Sequence, residues 1–157
     1  MSPRPVRITV VGSGRCDGNT ASVAERVGRE VARRGGVLIC GGLGGVMEAA
    51  ARGAREAGGT TVGILPGPDA AAANPHILIP IATDLGHARN AVNVRAADAV
   101  VAVEGGYGTL SEVALALAMG VPVVSLAPTQ TVPDAARAET PEEAVALAFA
   151  LAAGVDA

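Results

Sequence analysis

Residues 97–112 read Ala-Asp-Ala-Val-Val-Ala-Val-Glu-Gly-Gly-Tyr-Gly-Thr-Leu-Ser-Glu, an apolar strand that runs into glycines and a hydroxyl and then into a helix. That order of residue types suits an anion. Gly105, Gly106 and Gly108, with Tyr107 among them, let main-chain N–H groups approach a ligand. Thr109 adds a hydroxyl donor, and a helix N-terminus favours negative charge. Two further residues have side chains fit for chemistry there. The guanidinium of Arg89 can hold a phosphate or a leaving group, and the carboxylate of Glu112 can activate water or stabilise positive charge developing on a ribose. A structural reading stands beside this one: Glu112 caps its own helix by accepting from Thr109 or the backbone, with Arg89 paired to it.

In an open parallel sheet, ligands bind beyond the carboxyl ends of the strands. Other glycine-rich turns fall at that edge: Gly12-Ser13-Gly14 after the first expected strand, Gly41-Gly42-Leu43-Gly44-Gly45 after the second, and Pro66-Gly67-Pro68 after the third. Each alone is a tight turn, but their convergence points to a shared phosphate-bearing ligand, contacted by Gly12, Ser13, Gly14, Gly41, Gly42 and Gly44. The first turn lacks the third glycine of the dinucleotide fingerprint, and a chain without lysine cannot carry a Walker motif. Glu104 would repel a phosphate beside it, so it is expected to bond ribose hydroxyls, as acidic residues after Rossmann strands do. Asn90 can donate and accept without charge.

The elements that must position these residues follow from alternating apolar runs and helical patterns, which predict an α/β, Rossmann-like, doubly wound parallel sheet of six to seven strands with helices on both faces. Strands are expected at 7–11, 37–40, 60–65, 76–81, 99–103 and 121–126, each buried on both faces, with a short seventh near 131–135. Helices fit 20–34, 45–57, 85–96, 109–119 and 141–152. The last is marked by Thr140, Pro141 and Glu143, a capping box with proline at the first helical position. Helix 109–119 is apolar all round, so it needs cover from the C-terminal segment or from a second subunit in a homodimer or homotetramer. Residues 66–75 read as a mobile loop beside the ligand.

The whole chain, 1–157, is expected to form one domain. Half of its residues are hydrophobic but Tyr107 and Phe149 are the only aromatics, so the core must be built from Ala, Val, Leu and Ile. A net charge of −3 gives no reason to expect nucleic acid. No apolar run reaches the roughly eighteen residues that a membrane span needs, and no signal-type segment opens the chain, so a cytoplasmic location is expected. Cys16 and Cys40 are too few for a disulfide scaffold or a metal site; their thiols either flank the pocket or stay unpaired.

The run Gly105-Gly106-Tyr107-Gly108-Thr109-Leu110-Ser111-Glu112 resembles the Gly-Gly-x-Gly-Thr-x-x-Glu signature of the superfamily often misnamed lysine-decarboxylase-like. That superfamily includes the LOG cytokinin-activating phosphoribohydrolases and the molybdenum-cofactor carrier proteins. Residues 86–98 are more similar to the carrier branch, in which an Arg-Asn pair, here Arg89-Asn90, precedes the strand. The resemblance covers about residues 6–154. It implies a binding protein for a nucleotide or the molybdenum cofactor; the alternative it implies is a nucleoside 5′-monophosphate phosphoribohydrolase that cleaves an N-glycosidic bond with Arg89 and Glu112. Two positions depart from the LOG pattern, Glu104 where proline is usual and Asn90 where lysine is usual.

Overall fold

The computed structural model describes residues 3–126 and 132–156. Seven strands form one parallel sheet: β1 (Arg7–Val11), β2 (Val37–Cys40), β3 (Thr60–Leu65), β4 (Ile79–Ala82), β5 (Ala99–Ala102), β6 (Val123–Leu126) and β7 (Ala136–Ala138). Their order is β4-β3-β2-β1-β5-β6-β7. The chain winds outward from β1 in one direction and returns through β5 in the other. The two halves meet between β1 and β5, the place where loops diverge and leave a crevice.

Among the described residues five α-helices cover the sheet: α1 (Gly18–Arg33), α2 (Val46–Glu56), α3 (Arg89–Arg95), α4 (Tyr107–Ala118) and α5 (Pro141–Ala152). Helices α1, α2 and α5 pack on one face around Ile8, Val10, Val27, Val31, Leu38 and Val145. Helices α3 and α4 pack on the other around Val11, Val94, Val100, Val113, Ala116 and Val123. With so few aromatics, the first layer gains density by close backbone approach: a Cβ on Gly28 of α1 would fall 1.9 Å from the Ala50 carbonyl oxygen of α2.

Several expectations are corrected. The fourth strand lies at Ile79–Ala82 instead of 76–81, and all four of its residues are exposed. It pairs only with β3, and the preceding chain is held in a turn by Asn74, whose Oδ1 accepts from the His76 N–H. The seventh strand is Ala136–Ala138; Thr131, where it was expected to start, lies outside the described residues. The expected helix 85–96 is broken into a 3-10 turn, Gly86–Ala88, followed by α3. Helix α4 begins at Tyr107, so Gly108 and Thr109 lie inside its first turn; α5 sits on the opposite face of the sheet, while Val132 and Ala135 of the C-terminal segment pack on the layer that holds α4. Residues 66–75 contain a 3-10 turn, Ala70–Ala72, and Asn74 anchors their end by donating to the Gly42 and Leu43 carbonyls.

The amino ends of β1 and β5 are locked by Asp98. It accepts from the Arg7 main-chain N–H at 2.8 Å, from Arg4 at 2.9 and 3.0 Å, and from the Arg7 guanidinium at 3.1 Å. Partial burial disfavours its charge, yet the two guanidiniums and the N–H outweigh that and hold its carboxyl well below the usual carboxylate range.

Candidate functional site

Beyond the carboxyl ends of β1 and β5, two loops are tied together by the Ser13 N–H, which donates to the Glu104 carbonyl at 2.6 Å. Ser13 in turn accepts from the Val46 N–H at 3.0 Å, which fixes the start of α2. Cavities open on both sides of this backbone bridge.

The first, about 300 Å³, is lined by Gly12, Ser13, Gly14, Met47, His87, Arg89, Asn90, Gly106, Gly108, Thr109 and Glu112. Helix α4 starts in it with Gly106 as its N-cap and no side chain capping it, so its leading N–H groups point outward as donors. Arg89, the first residue of α3, lays its guanidinium against Gly41: a Cβ there would fall 2.8 Å from Nη2 and 2.6 Å from the Met47 sulfur. Gly41 therefore contributes room for an arginine. Nη1 of Arg89 donates to Asn90 Oδ1, and its buried Nε has no partner.

Glu112 is only 6% exposed and accepts from Asn93 Nδ2 at 2.7 Å. This corrects the capping reading, because the bond crosses to α3 and does not close the N-terminus of α4. The pairing with Arg89 that belongs to the same structural reading is also absent: among the described residues neither side chain forms an ion pair. Burial pushes the Glu112 carboxyl upward, and the Asn93 hydrogen bond and the Arg89 charge pull against it without cancelling it. Asn93 is itself fixed by Thr9, whose hydroxyl donates to its carbonyl at 2.7 Å, while its Oδ1 is buried and unpaired.

The second cavity, about 360 Å³, is lined by Ser13, Arg15, Cys16, Asp17, Thr20, Glu104, Gly105 and Gly106. The Thr20 hydroxyl donates to Glu104 Oε2 at 2.8 Å, and Asp17 caps α1 by accepting from the Thr20 N–H at 2.8 Å. Cys16 lines this cavity; Cys40 is fully buried, and burial raises its thiol to about 11.

Of the residues singled out from sequence, Gly12, Ser13, Gly14, Arg89, Asn90, Gly106, Gly108, Thr109 and Glu112 meet at the first cavity, and Glu104 and Gly105 at the second. Gly41, Gly42, Gly44 and the 87%-exposed Tyr107 line neither. Met47, Thr20 and Asn93 were missed. Asn93 had a legible signal, since it stands one helical turn after Arg89 and four-residue spacing puts both on one face. Among the described residues no three His, Cys, Asp or Glu side chains gather as a metal site, and no helix is long and apolar enough to cross a membrane.

A parallel α/β sheet with donors and a buried carboxylate at its switch point defines a Rossmann-like ligand-binding class. Within it, residues 5–152 match the SLOG cluster4 family, and the chain belongs to that family. A protein of Archaeoglobus fulgidus is 51% identical over 140 residues, 89% of this chain and 92% of its own. The molybdenum cofactor binding protein of the phototrophic bacterium Rippkaea orientalis superposes with a TM-score of 0.90 at 36% identity, covering 96% of this chain and 99% of that one. The molybdenum cofactor carrier protein of Chlamydomonas reinhardtii does so with a TM-score of 0.87 at 36% identity and the same coverage.

Proposed function

We propose that this chain is a binding protein for a phosphate-bearing small molecule, either a nucleotide or the molybdenum cofactor, held in the crevice between β1 and β5. The observation that carries this reading is a set of unused donors in one cavity. The uncapped N-terminus of α4 and Arg89, which forms no ion pair among the described residues, line the same 300 Å³. Main-chain N–H groups at a helix end and an unpaired guanidinium favour an anionic ligand as their acceptor. The likeness to the Rippkaea and Chlamydomonas proteins supports the cofactor as cargo. Mass spectrometry of small molecules released from gently purified protein tests this. A phosphate-bearing compound at near-stoichiometric ratio is expected; ligand-free protein that also fails to bind ribose 5-phosphate would rule the reading out.

A second reading is the phosphoribohydrolase, and the buried position of Glu112 beside the cavity favours it. A hydrolase must release adenine from adenosine monophosphate and lose most of its rate in Glu112→Gln. A carrier binds the nucleotide without releasing base, which is the outcome expected here.

We also infer a homodimer or homotetramer. The observation behind it is an apolar depression outside the crevice, formed by Ala91, Val92, Ala96 and Met119 with only Arg95 as a charged neighbour. The exposed Val92→Glu should reduce the mass seen by light scattering; wild-type protein already monomeric at micromolar concentration would contradict this.

A further inference from the structure

Glu112 lines the Arg89 cavity from a buried position, and no ion pair among the described residues fixes its charge. Its partner at 2.7 Å, Asn93 Nδ2, belongs to a neutral amide. An amide serves either form of a carboxyl group: its NH₂ donates to a carboxylate, and turned over, its oxygen accepts from a carboxylic acid. Turning it breaks no other side-chain bond, because Asn93 Oδ1 is buried and unpaired. The main chain stays in place meanwhile, since the Thr9 hydroxyl donates to the Asn93 carbonyl at 2.7 Å. Asp98, held by two guanidiniums, has no such second arrangement.

The groups that act on Glu112 come from the elements around the cavity. Arg89, first residue of α3, lines the same space without an ion pair, and its positive charge favours the carboxylate. His87, in the 3-10 turn Gly86–Ala88, lines it too. Cys40, at the end of β2, is fully buried, and with its thiol raised to about 11 it carries no charge at neutral pH. Helix α4 itself has no other charged side chain. An anion in this cavity therefore offsets the one guanidinium that favours the carboxylate, and it adds negative charge beside it.

We propose that binding of an anion beside Arg89 is coupled to uptake of a proton by Glu112, with Asn93 turning its amide to accept from the neutral carboxyl, so that the crevice loads in acid and releases as pH rises. This rests on the phosphate-binding reading above and adds its regulation. The proton comes from solvent and returns there when the ligand leaves. With ligand bound, Glu112 holds its proton more tightly than in the free protein, so uptake is confined to the pH window between the two values. Below that window Glu112 is already neutral. Above it the ligand meets a charged carboxylate and binds less tightly.

Titration calorimetry with ribose 5-phosphate, repeated in buffers of different ionisation enthalpy across about pH 5 to 8, counts the protons exchanged on binding. The ligand's own phosphate, which titrates near about pH 6, can only lose a proton beside a guanidinium, so uptake must come from the protein. Wild type should take up more protons than Glu112→Gln at the same pH, with a difference that peaks between roughly a half and one proton. Its affinity relative to that variant should fall by at least about fivefold toward the alkaline end. His87→Gln should still show the uptake. Asn93→Leu should show less, since without the amide donor the buried carboxyl is already neutral before the ligand arrives. A thermal melt checks that the variants fold; should Asn93→Leu fail to, the Glu112→Gln comparison decides alone. Equal proton counts in wild type and Glu112→Gln would overturn the proposal, as would an uptake that disappears only in His87→Gln. In both cases retained binding of ribose 5-phosphate keeps the phosphate reading intact. If ribose 5-phosphate does not bind at any pH, that reading fails and takes this one with it.

Discussion

One carboxylate precedes β5 and another lies on α4, the helix that follows it, and the two are treated in opposite ways. Asp98, before the strand, is surrounded by Arg4, Arg7 and a main-chain N–H, and its charge is favoured. Glu112, on the helix that follows the strand, is more deeply buried, has one amide for a partner, and its charge is disfavoured. Arg89 likewise has a single amide, that of Asn90, for a side-chain partner, and its Nε has none. The amino edge of the sheet satisfies its charges and so holds the fold together; the carboxyl edge leaves them available. Unsatisfied buried groups concentrate where a ligand completes them.

The comparison breaks most visibly at Arg89. Arg89→Met should weaken binding of ribose 5-phosphate by about 10- to 100-fold, the range for a lost charge-assisted hydrogen bond, while the melting midpoint stays within a few degrees. Unchanged affinity by calorimetry would show that the carboxyl edge does not recruit anions. Asp98→Asn should do the reverse, lowering the midpoint by several degrees with ligand affinity retained. Because the folded-state acidity of Asp98 is strengthened, its stabilisation is complete above the unfolded value, about pH 4, and disappears as pH falls through the folded value. The gap between wild type and Asp98→Asn should therefore close on acidification.

Glu112→Gln gives the smallest effect and the opposite sign, a midpoint raised by about 1–2 °C at pH 7, since the amide keeps the shape and removes a disfavoured charge. Here the folded protein holds its proton more tightly than the unfolded chain. The cost appears as pH rises through the unfolded value, about 4.3, and is complete above the folded one. This gap also closes in acid, but from the other side. A variant less stable than wild type at neutral pH would mean that the charge of Glu112 is structurally required.

Much of the architecture was legible because parallel strands buried on both faces and their intervening helices leave continuous and periodic apolar runs. Helix α5 matches its expected bounds because Thr140 and Pro141 mark its start by local chemistry. Helix α4 has no such mark, and its start lies two residues ahead of the expected Thr109 because an uncapped glycine N-terminus carries no side-chain signal. β4 was read as buried since Ile79 and Ile81 have the same hydropathy inside a sheet or at its edge, and only the strand order shows which applies. The crevice residues were found through glycine and charge. The Thr20–Glu104 and Asn93–Glu112 contacts were not, because each needs the packing of distant segments to be known first.

Tyr107 opens α4 between Gly106 and Gly108, is almost fully exposed, and is the chain's only tyrosine in a sequence without tryptophan. Excited at wavelengths that Phe149 does not absorb, the protein therefore carries one native fluorophore, and it lies in the first turn of the helix that starts at the crevice. Emission intensity, quenching by iodide and rotational anisotropy all report on this single junction with no background from the core. Occupancy of the crevice can be followed optically in the unmodified chain, without a label and without altering any residue that lines it.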